Sequence, residues 1–332
     1  AYMKKKLAVF LAALLVATGL TACGQKEEVS SEPAVTAKVA ALKGPTSMGM
    51  VKMMADQKDA KEKNYEFTIG SSPDEIAPKF LKGEFDIVAL PSNLASILYN
   101  KSQGKVQVLA INTLGILYLM ENGDSVKSIE DLKGKTVYSS GKGAVPEYAF
   151  NYILKANGLN PDTDLRVEYK SEHTEALAAL LNDKSGLAVL PQPFATVASL
   201  KNKDLRTALD LSKEWDKASK NAKSTMITGV VVVNKDFAAK YPEKIKKFMA
   251  DYKASIDYTN TNVDDAAKLI EENNIVPAAV AKKAIPQCNI TYIDGSDMKD
   301  KLSGYLQVLF EANPKSIGGK MPADDFYYVQ KK

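Results

Sequence analysis

One histidine, His173, stands in a chain of 332 residues, with one tryptophan, Trp215, and two cysteines, Cys23 and Cys288. A lone histidine leaves nothing from which to build a His-rich metal site or a Cys–His pair, and no residue set reads as catalytic or metal-binding. Two cysteines, one of them with another use given below, make no disulfide framework, and Cys288 reads as a buried small residue. Excess charge is also missing. The formal charge is +4, Lys4, Lys5 and Lys6 are the only charges in residues 1–22, and the rest of the chain therefore carries +1. That is no footprint for nucleic acid. The loop Gly141-Lys142-Gly143 is too short for a phosphate-binding P-loop, so no nucleotide or other cofactor is expected. The apolar run at residues 7–17 is too short to span a bilayer comfortably.

That run has a different reading. Lys4–Lys6, the apolar stretch and Leu20-Thr21-Ala22-Cys23 form a positive region, a hydrophobic region and a small-residue cleavage site. Residues 1–22 are expected to be a signal peptide, with Ala1-Tyr2 ahead of Met3 set aside. The Leu-Thr-Ala-Cys ending resembles the bacterial lipobox, which implies a lipid on Cys23 and attachment to the outer face of the cell membrane. Residues 23–36 are polar and aperiodic and read as a flexible tether.

The body carries an internal echo. Residues 75–97, EIAPKFLKGEFDIVALPSNLASI, align without gaps on residues 175–197, EALAALLNDKSGLAVLPQPFATV. Glu75 falls on Glu175 and Leu90-Pro91 on Leu190-Pro191. Each copy reads as helix, short strand, Leu-Pro turn and helix, which suggests two similar lobes offering one turn each to a shared space. Around the echo, strands near 38–42, 65–69, 85–90 and 106–112 alternate with helices, the pattern of an α/β sheet with parallel strands. Leu109–Met120 reads as one extended segment leaving the first lobe, and Met226–Val233 as the return. The boundaries expected are 37–113 with 228–332 for lobe 1, and 114–227 for lobe 2. Residues after 241 read as helical, with helices near 241–258, 264–273 and 298–312. Trp215 reads as packing in the core or on the surface.

The turns at 44–48, 71–74, 91–93, 140–145 and 191–193 each end a strand and open a helix. In an α/β sheet such ends gather at one edge, where ligands bind, and their free N–H groups favour an anionic or acceptor-rich group. Thr46, Ser47, Ser72, Ser92, Asn93, Ser140 and Gln192 would add neutral hydrogen bonds. Met48 and Val145 would form apolar wall, and Gly141, Lys142 and Gly143 a loop holding the only cation of the set. Thr113-Leu114 and Thr228-Gly229 would be the hinge. The same serines and threonines could instead only cap their helices. Thr46 or Ser47, Ser72 and Ser171 are the caps expected. His173 is expected in the first turn of helix 172–182, exposed and on the wrong side of its lobe for a Ser-His-Asp arrangement.

Several segments carry a family likeness: Leu81-Lys82-Gly83-Glu84-Phe85-Asp86-Ile87, Asp131-Leu132-Lys133-Gly134-Lys135, Ile153-Leu154 to Gly158-Leu159, Pro193-Phe194-Ala195-Thr196 and Tyr241-Pro242-Glu243-Lys244. In that order the chain resembles solute-binding lipoproteins of ABC importers with the type II periplasmic-binding fold, nearest the nitrate, sulfonate, taurine and thiamine-pyrimidine-precursor group. The resemblance covers about residues 36–328. It implies two mixed sheets flanked by helices and joined by a two-strand hinge, a small-molecule ligand, an ABC permease with its ATPase as partners, and a monomer without catalytic activity. Many relatives carry an acidic residue where this chain has Gln192, a neutral donor and acceptor. The same fold also houses a pyrimidine-precursor synthase, and a ligand-presenting sensor would look alike in sequence.

Overall fold

Short strands, most of them followed by a helix, set the architecture. The computed structural model describes residues 32–220 and 224–330; Cys23, the leader and most of the tether lie outside the described residues. The first series runs β1 (Ala37–Leu42), α1 (Pro45–Met48), α2 (Val51–Lys58), β2 (Tyr65–Gly70), α3 (Pro73–Leu81), β3 (Ile87–Pro91), α4 (Ser92–Lys101) and β4 (Val106–Leu114). The second runs β5 (Leu117–Asn122), β6 (Thr136–Ser140), α5 (Val145–Ala156), β7 (Arg166–Lys170), α6 (His173–Asn182), β8 (Leu187–Pro191), α7 (Phe194–Lys201), β9 (Leu205–Asp210) and α8 (Leu211–Ala218). The chain closes with β10 (Ile227–Asn234), α9 (Lys235–Lys240), α10 (Pro242–Thr261), α11 (Val263–Glu272), α12 (Ala278–Ala284), β11 (Ile290–Ile293) and α13 (Gly295–Ala312).

These strands make two mixed sheets, in the orders β11-β4-β10-β3-β1-β2 and β7-β6-β8-β5-β9. The echo in the sequence is an echo in space. β3 lies parallel to β1 and antiparallel to β10. β8 lies parallel to β6 and antiparallel to β5. In each sheet, then, the antiparallel neighbour of the repeated strand is the strand that has just crossed from the other sheet. Even the matched glutamates act alike. Glu75 Oε2 accepts from the backbone N–H of Ser71 at 2.9 Å, and Glu175 Oε2 from that of Ser171 at 3.0 Å. Each carboxylate closes the turn leading into its helix, where negative charge also suits the dipole.

Three sequence expectations change. The segment 109–120 is not one strand: it breaks at Gly115-Ile116, between β4 and β5. A Cβ built on Gly115 would lie 2.0 Å from Ser212 Oγ and 3.0 Å from Met226 Cβ, so the chain turns where only glycine fits between two other segments. The region after residue 241 is not wholly helical, since β11 pairs antiparallel with β4 at the sheet edge. The caps are also placed differently. Gly44 is the N-cap of α1, with Thr46 and Ser47 inside the helix, and Glu172 rather than Ser171 is the N-cap of α6. Ser72 does occupy the N-cap of α3, with Pro73 following, but its hydroxyl makes no capping bond.

Packing joins the two halves built on these sheets. One apolar cluster runs from Ala40, Leu90 and Ile111 of the first half through Leu117, Met226 and Ile227 to Val137, Phe150 and Trp215 of the second. A further cluster backs the first sheet with α2 and α10, and another backs the second sheet with α6 and α7. Trp215 is fully buried, as is Cys288. The Trp215 indole N–H donates to Ser224 Oγ at 3.2 Å, so its polar end is satisfied inside the core.

Candidate functional site

The connections of the strands bring two edges together. β1, β3 and β4 point the same way, because β10 is antiparallel to both β3 and β4. Their carboxyl ends therefore share one edge with the start of β10, where Ile227 pairs with Leu114 and Gly229 with Pro91. In the second sheet the carboxyl ends of β6 and β8 share an edge with the start of β5, where Leu117 pairs with Pro191. Only two residues separate Leu114 from Leu117, a span of at most about 10 Å. The carboxyl edges of the two sheets thus meet at the crossing, and that is the edge at which α/β sheets bind ligands.

On the first-half side, several expected residues converge on the start of β10. A Cβ on Gly229 would lie 2.5 Å from Asn112 Oδ1, 2.7 Å from Thr46 Cγ2 and 3.3 Å from Thr113 Oγ1. Ser92 Oγ donates to the carbonyl of Ile227 at 2.5 Å. Thr46, Ser92, Thr113 and Thr228 are thereby assembled from four separate stretches. The hydroxyls of Thr46, Ser92 and Thr113 have partners already, as does that of Ser47. Thr46 Oγ1 donates to Leu42 O at 3.2 Å, Ser47 Oγ to Gly44 O at 3.0 Å, and Thr113 Oγ1 to Asn112 Oδ1 at 2.9 Å. Asn112 in turn donates to the Tyr252 hydroxyl at 3.1 Å. It was not among the residues expected, although a polar residue inside the apolar run Leu109–Leu114 was a signal in plain view.

On the second-half side, Ser140 Oγ is hydrogen-bonded to His173 Nδ1, and the imidazole stands 5.3 Å from the ring of Phe194. This corrects the expectation of an exposed, remote histidine. β7 lies parallel to and beside β6, so the turn after β7 opens at the same edge as the turn after β6. Gln192 is buried, and Thr196 donates to its Oε1 from both the backbone N–H (3.3 Å) and the hydroxyl (2.8 Å). Its Nε2 donates to Gln287 Oε1 at 3.2 Å, across to the first half. The Gly143 N–H donates to Glu147 and the Tyr148 hydroxyl to Gly143 O, tying the Gly141–Gly143 loop to α5.

Other expected residues stand apart. Met48 is fully buried in the cluster behind the first sheet rather than facing an open wall, because α1 turns it inward. Asn93 donates to Ser316 O at 3.0 Å and so faces the C-terminal segment. Ser72 follows the edge strand β2, three strands from β10 and about 14 Å away at the usual strand spacing. Lys142 is exposed, with its ammonium 6.0 Å from the centre of the Tyr169 ring. Val145 and Leu114 are half-buried against the shared cluster. Hollows of about 610, 540 and 350 Å³ lie on other faces, beside Val329, between α5 and α13, and beside Tyr65, and no expected residue lines them.

Burial pushes the His173 imidazole below its ordinary range, against the weaker opposing field of Glu172. A histidine depressed in the folded state binds protons better unfolded. Its contribution to stability is therefore complete above the unfolded value of about 6.5 and is lost as pH falls through it. The urea midpoint should drop more between pH 7.5 and 5.0 for the wild type than for His173→Gln. Equal drops would show that His173 is not the group responsible.

Among the described residues no group of three or more His, Cys, Asp or Glu side chains could hold a metal, and no helix is long and apolar enough to cross a membrane. The family of phosphonate-type periplasmic substrate-binding proteins of ABC transporters matches residues 50–284. No curated protein sequence matches. Among solved structures, an ABC transporter from Parabacteroides distasonis is 25% identical, with a TM-score of 0.75 over 89% of this chain and 99% of its own. The periplasmic aliphatic sulphonate binding protein SsuA from Escherichia coli is 14% identical, with a TM-score of 0.71 over 91% of this chain and 94% of its own. The ligand-binding component of an ABC-type import system from Staphylococcus aureus, with zinc bound, is 16% identical, with a TM-score of 0.64 over 89% and 96%. The last two likenesses speak for the fold alone. With the family match spanning most of its length and two mixed sheets meeting at their carboxyl edges, the chain belongs to the periplasmic substrate-binding proteins of ABC transporters.

Proposed function

We propose that this chain captures a small solute bearing a tetrahedral oxyanion, a phosphonate or sulfonate, between lobes 37–113 with 228–332 and 114–227, and delivers it to an ABC permease. The observation that carries the reading is the juxtaposition of the two carboxyl edges, with Thr46, Ser92 and Thr113 gathered on one side and Ser140 with His173 on the other. Backbone N–H groups and helix N-termini suit an oxyanion without requiring a formal cation beside it, and the hydroxyls of Thr46, Ser92 and Thr113 would turn from their present acceptors to donate to it. Thr113-Leu114 and Thr228-Gly229 serve as the hinge, closure removes water, and no covalent chemistry is involved. The protein acts as a monomer, held outside the cell by a lipid on Cys23.

The test is binding of methylphosphonate, ethanesulfonate and nitrate, read by thermal shift and calorimetry. One of the first two should raise stability by about 2.7 kcal/mol at a hundredfold excess over Kd. Ser140→Ala should then weaken binding roughly tenfold to a hundredfold, the worth of a hydrogen bond to a charged group. If no member of the panel shifts the melting curve, the reading fails.

The Ser140–His173 contact also favours a second reading, an enzyme with a serine or histidine at work. Turnover of a bound ligand that disappears in His173→Ala would establish it.

A further inference from the structure

Two arms of the C-terminal third reach from the first half onto the second, one on each face of the second sheet. The first arm is α12 with the turn at 285–287. It meets the face covered by α6 and α7. There the Tyr118 hydroxyl donates to Gln287 O at 2.8 Å, and Gln192 Nε2 donates to Gln287 Oε1 at 3.2 Å. The contact is loose. A hollow of about 140 Å³ remains between Thr196 and Thr207 on one side and Lys283 on the other, and Gln287 itself is exposed. The second arm is α13. It meets the opposite face, covered by α5 and α8, through aromatic packing. The ring of Tyr305 lies 5.4 Å from Trp215, which in turn lies 4.6 Å from Tyr152. Both Trp215 and Tyr305 are fully buried, and the apolar cluster passes through them without a break.

The arms differ in what separation would cost. Parting the aromatic arm returns about 150–250 Å² of surface per ring to water. Parting the polar arm exchanges two hydrogen bonds for bonds to water that already reaches Gln287, a cost of roughly threefold to tenfold per bond. Thr196 continues to hold Gln192 Oε1, and the Nε2 released from Gln287 would donate to water in the opened gap. We infer that the cleft opens by rotation about the α13–Trp215 contact, and that Gln287 is the latch released, with Tyr118 and Gln192 as positioning residues that set how often it is closed.

This rests on the reading that the lobes move, and not on what they bind. The experiment uses the full chain without any ligand. Small-angle scattering reports the opening, and acrylamide quenching of Trp215, the single tryptophan, reports the pivot. Gln287→Ala should increase the radius of gyration and leave Trp215 quenching as in the wild type. Gln287→Ala removes the bond from Gln192 and keeps the carbonyl that Tyr118 donates to; Tyr118→Phe removes that other bond, keeps the ring, and should shift scattering the same way by a similar amount. Each bond lost should raise the open population roughly threefold to tenfold. Tyr305→Ala should raise Trp215 quenching. The inference is overturned if Gln287→Ala exposes Trp215, since the arms would then release together, or if it leaves scattering unchanged while circular dichroism shows the variant folded. Either outcome leaves ligand binding by the panel above untouched.

Discussion

Arg206→Ala is expected to lower folding stability by about 3 kcal/mol, the lower end for breaking a buried ion pair from one side. The reason lies at Glu121. It is only 2% exposed, near the end of β5, where it pairs directly with Arg206 of β9. Arg206 donates to its Oε2, to Val126 O and to Gly123 O, and its Nε lies 3.3 Å from Asp124 Oδ1, so one guanidinium serves two carboxylates and two carbonyls. Burial pushes the Glu121 carboxyl up, but the hydroxyl and N–H of Ser125, the N–H of Val126 and the guanidinium together hold it below its usual range. Alanine at 206 removes the counter-charge and leaves the carboxylate buried. A folded-state carboxyl held low contributes stability above its unfolded value and loses it as pH falls. The penalty of Arg206→Ala should therefore be full at neutral pH and shrink as pH falls through the ordinary carboxylate range, where Glu121 takes up its proton earlier in the variant than in the wild type. Urea unfolding at pH 7 and pH 3.5 measures both. The double variant with Glu121→Gln should recover part of the loss. A change within about 0.5 kcal/mol at pH 7 would mean that the pair behaves as a surface bridge.

The second large effect is expected at Gly115. Alanine there would need room now filled by Ser212 Oγ at 2.0 Å, Ser212 Cβ at 2.9 Å and Met226 Cβ at 3.0 Å. Two of these are β-carbons, which cannot swing aside, so the crossing itself must give. Overpacking of this kind costs about 1–3 kcal/mol. Here it also displaces a point at which the carboxyl edges are tied, since the Gly115 carbonyl accepts from Asn289 Nδ2 at 2.6 Å and the next carbonyl, that of Ile116, accepts from the Gln192 N–H at 3.0 Å. Gly115→Ala should weaken any ligand in proportion to the distortion as well as lower the melting temperature. Gly229→Ala, whose neighbours are side-chain tips, should be milder. Wild-type stability in Gly115→Ala would refute the close approach.

What could be read from the chain alone follows from range. The repeated stretch was legible because its helix, strand and Leu-Pro turn are local and ordered alike in both copies. The gathering of strand ends followed from the α/β pattern, and Thr46, Ser92 and Thr113 do come together around Gly229. His173 went astray because its neighbour Ser140 ends β6 while His173 opens α6 after β7, and the strand order that brings them together is not written in local sequence. β11 was read as part of a helical tail because four residues carry too little alternation to stand out. Gln192 was nominated as a ligand contact, yet its amide is engaged by Thr196 and Gln287, the latter 95 residues away. Such distant pairs leave no periodicity to find. The sequence motifs pointed to the substrate-binding proteins of ABC importers, which the family match bears out; motifs of the scaffold do not single out a branch within it.

The position of β10 has a consequence for the order in which the molecule can be assembled. β10 is the only strand between β3 and β4. A chain ending before Ile227 holds all five strands of the second sheet, contiguous from Leu117 to Asp210, but only two unjoined fragments of the first, β2-β1-β3 and β4 alone. As the polypeptide emerges from its N-terminus, the part encoded later can thus complete its hydrogen-bonding before the part encoded first. The opening hundred residues wait, edges unpaired, for a strand more than a hundred positions downstream, and the apolar faces of β3 and β4 are the surfaces most in need of shelter during that wait.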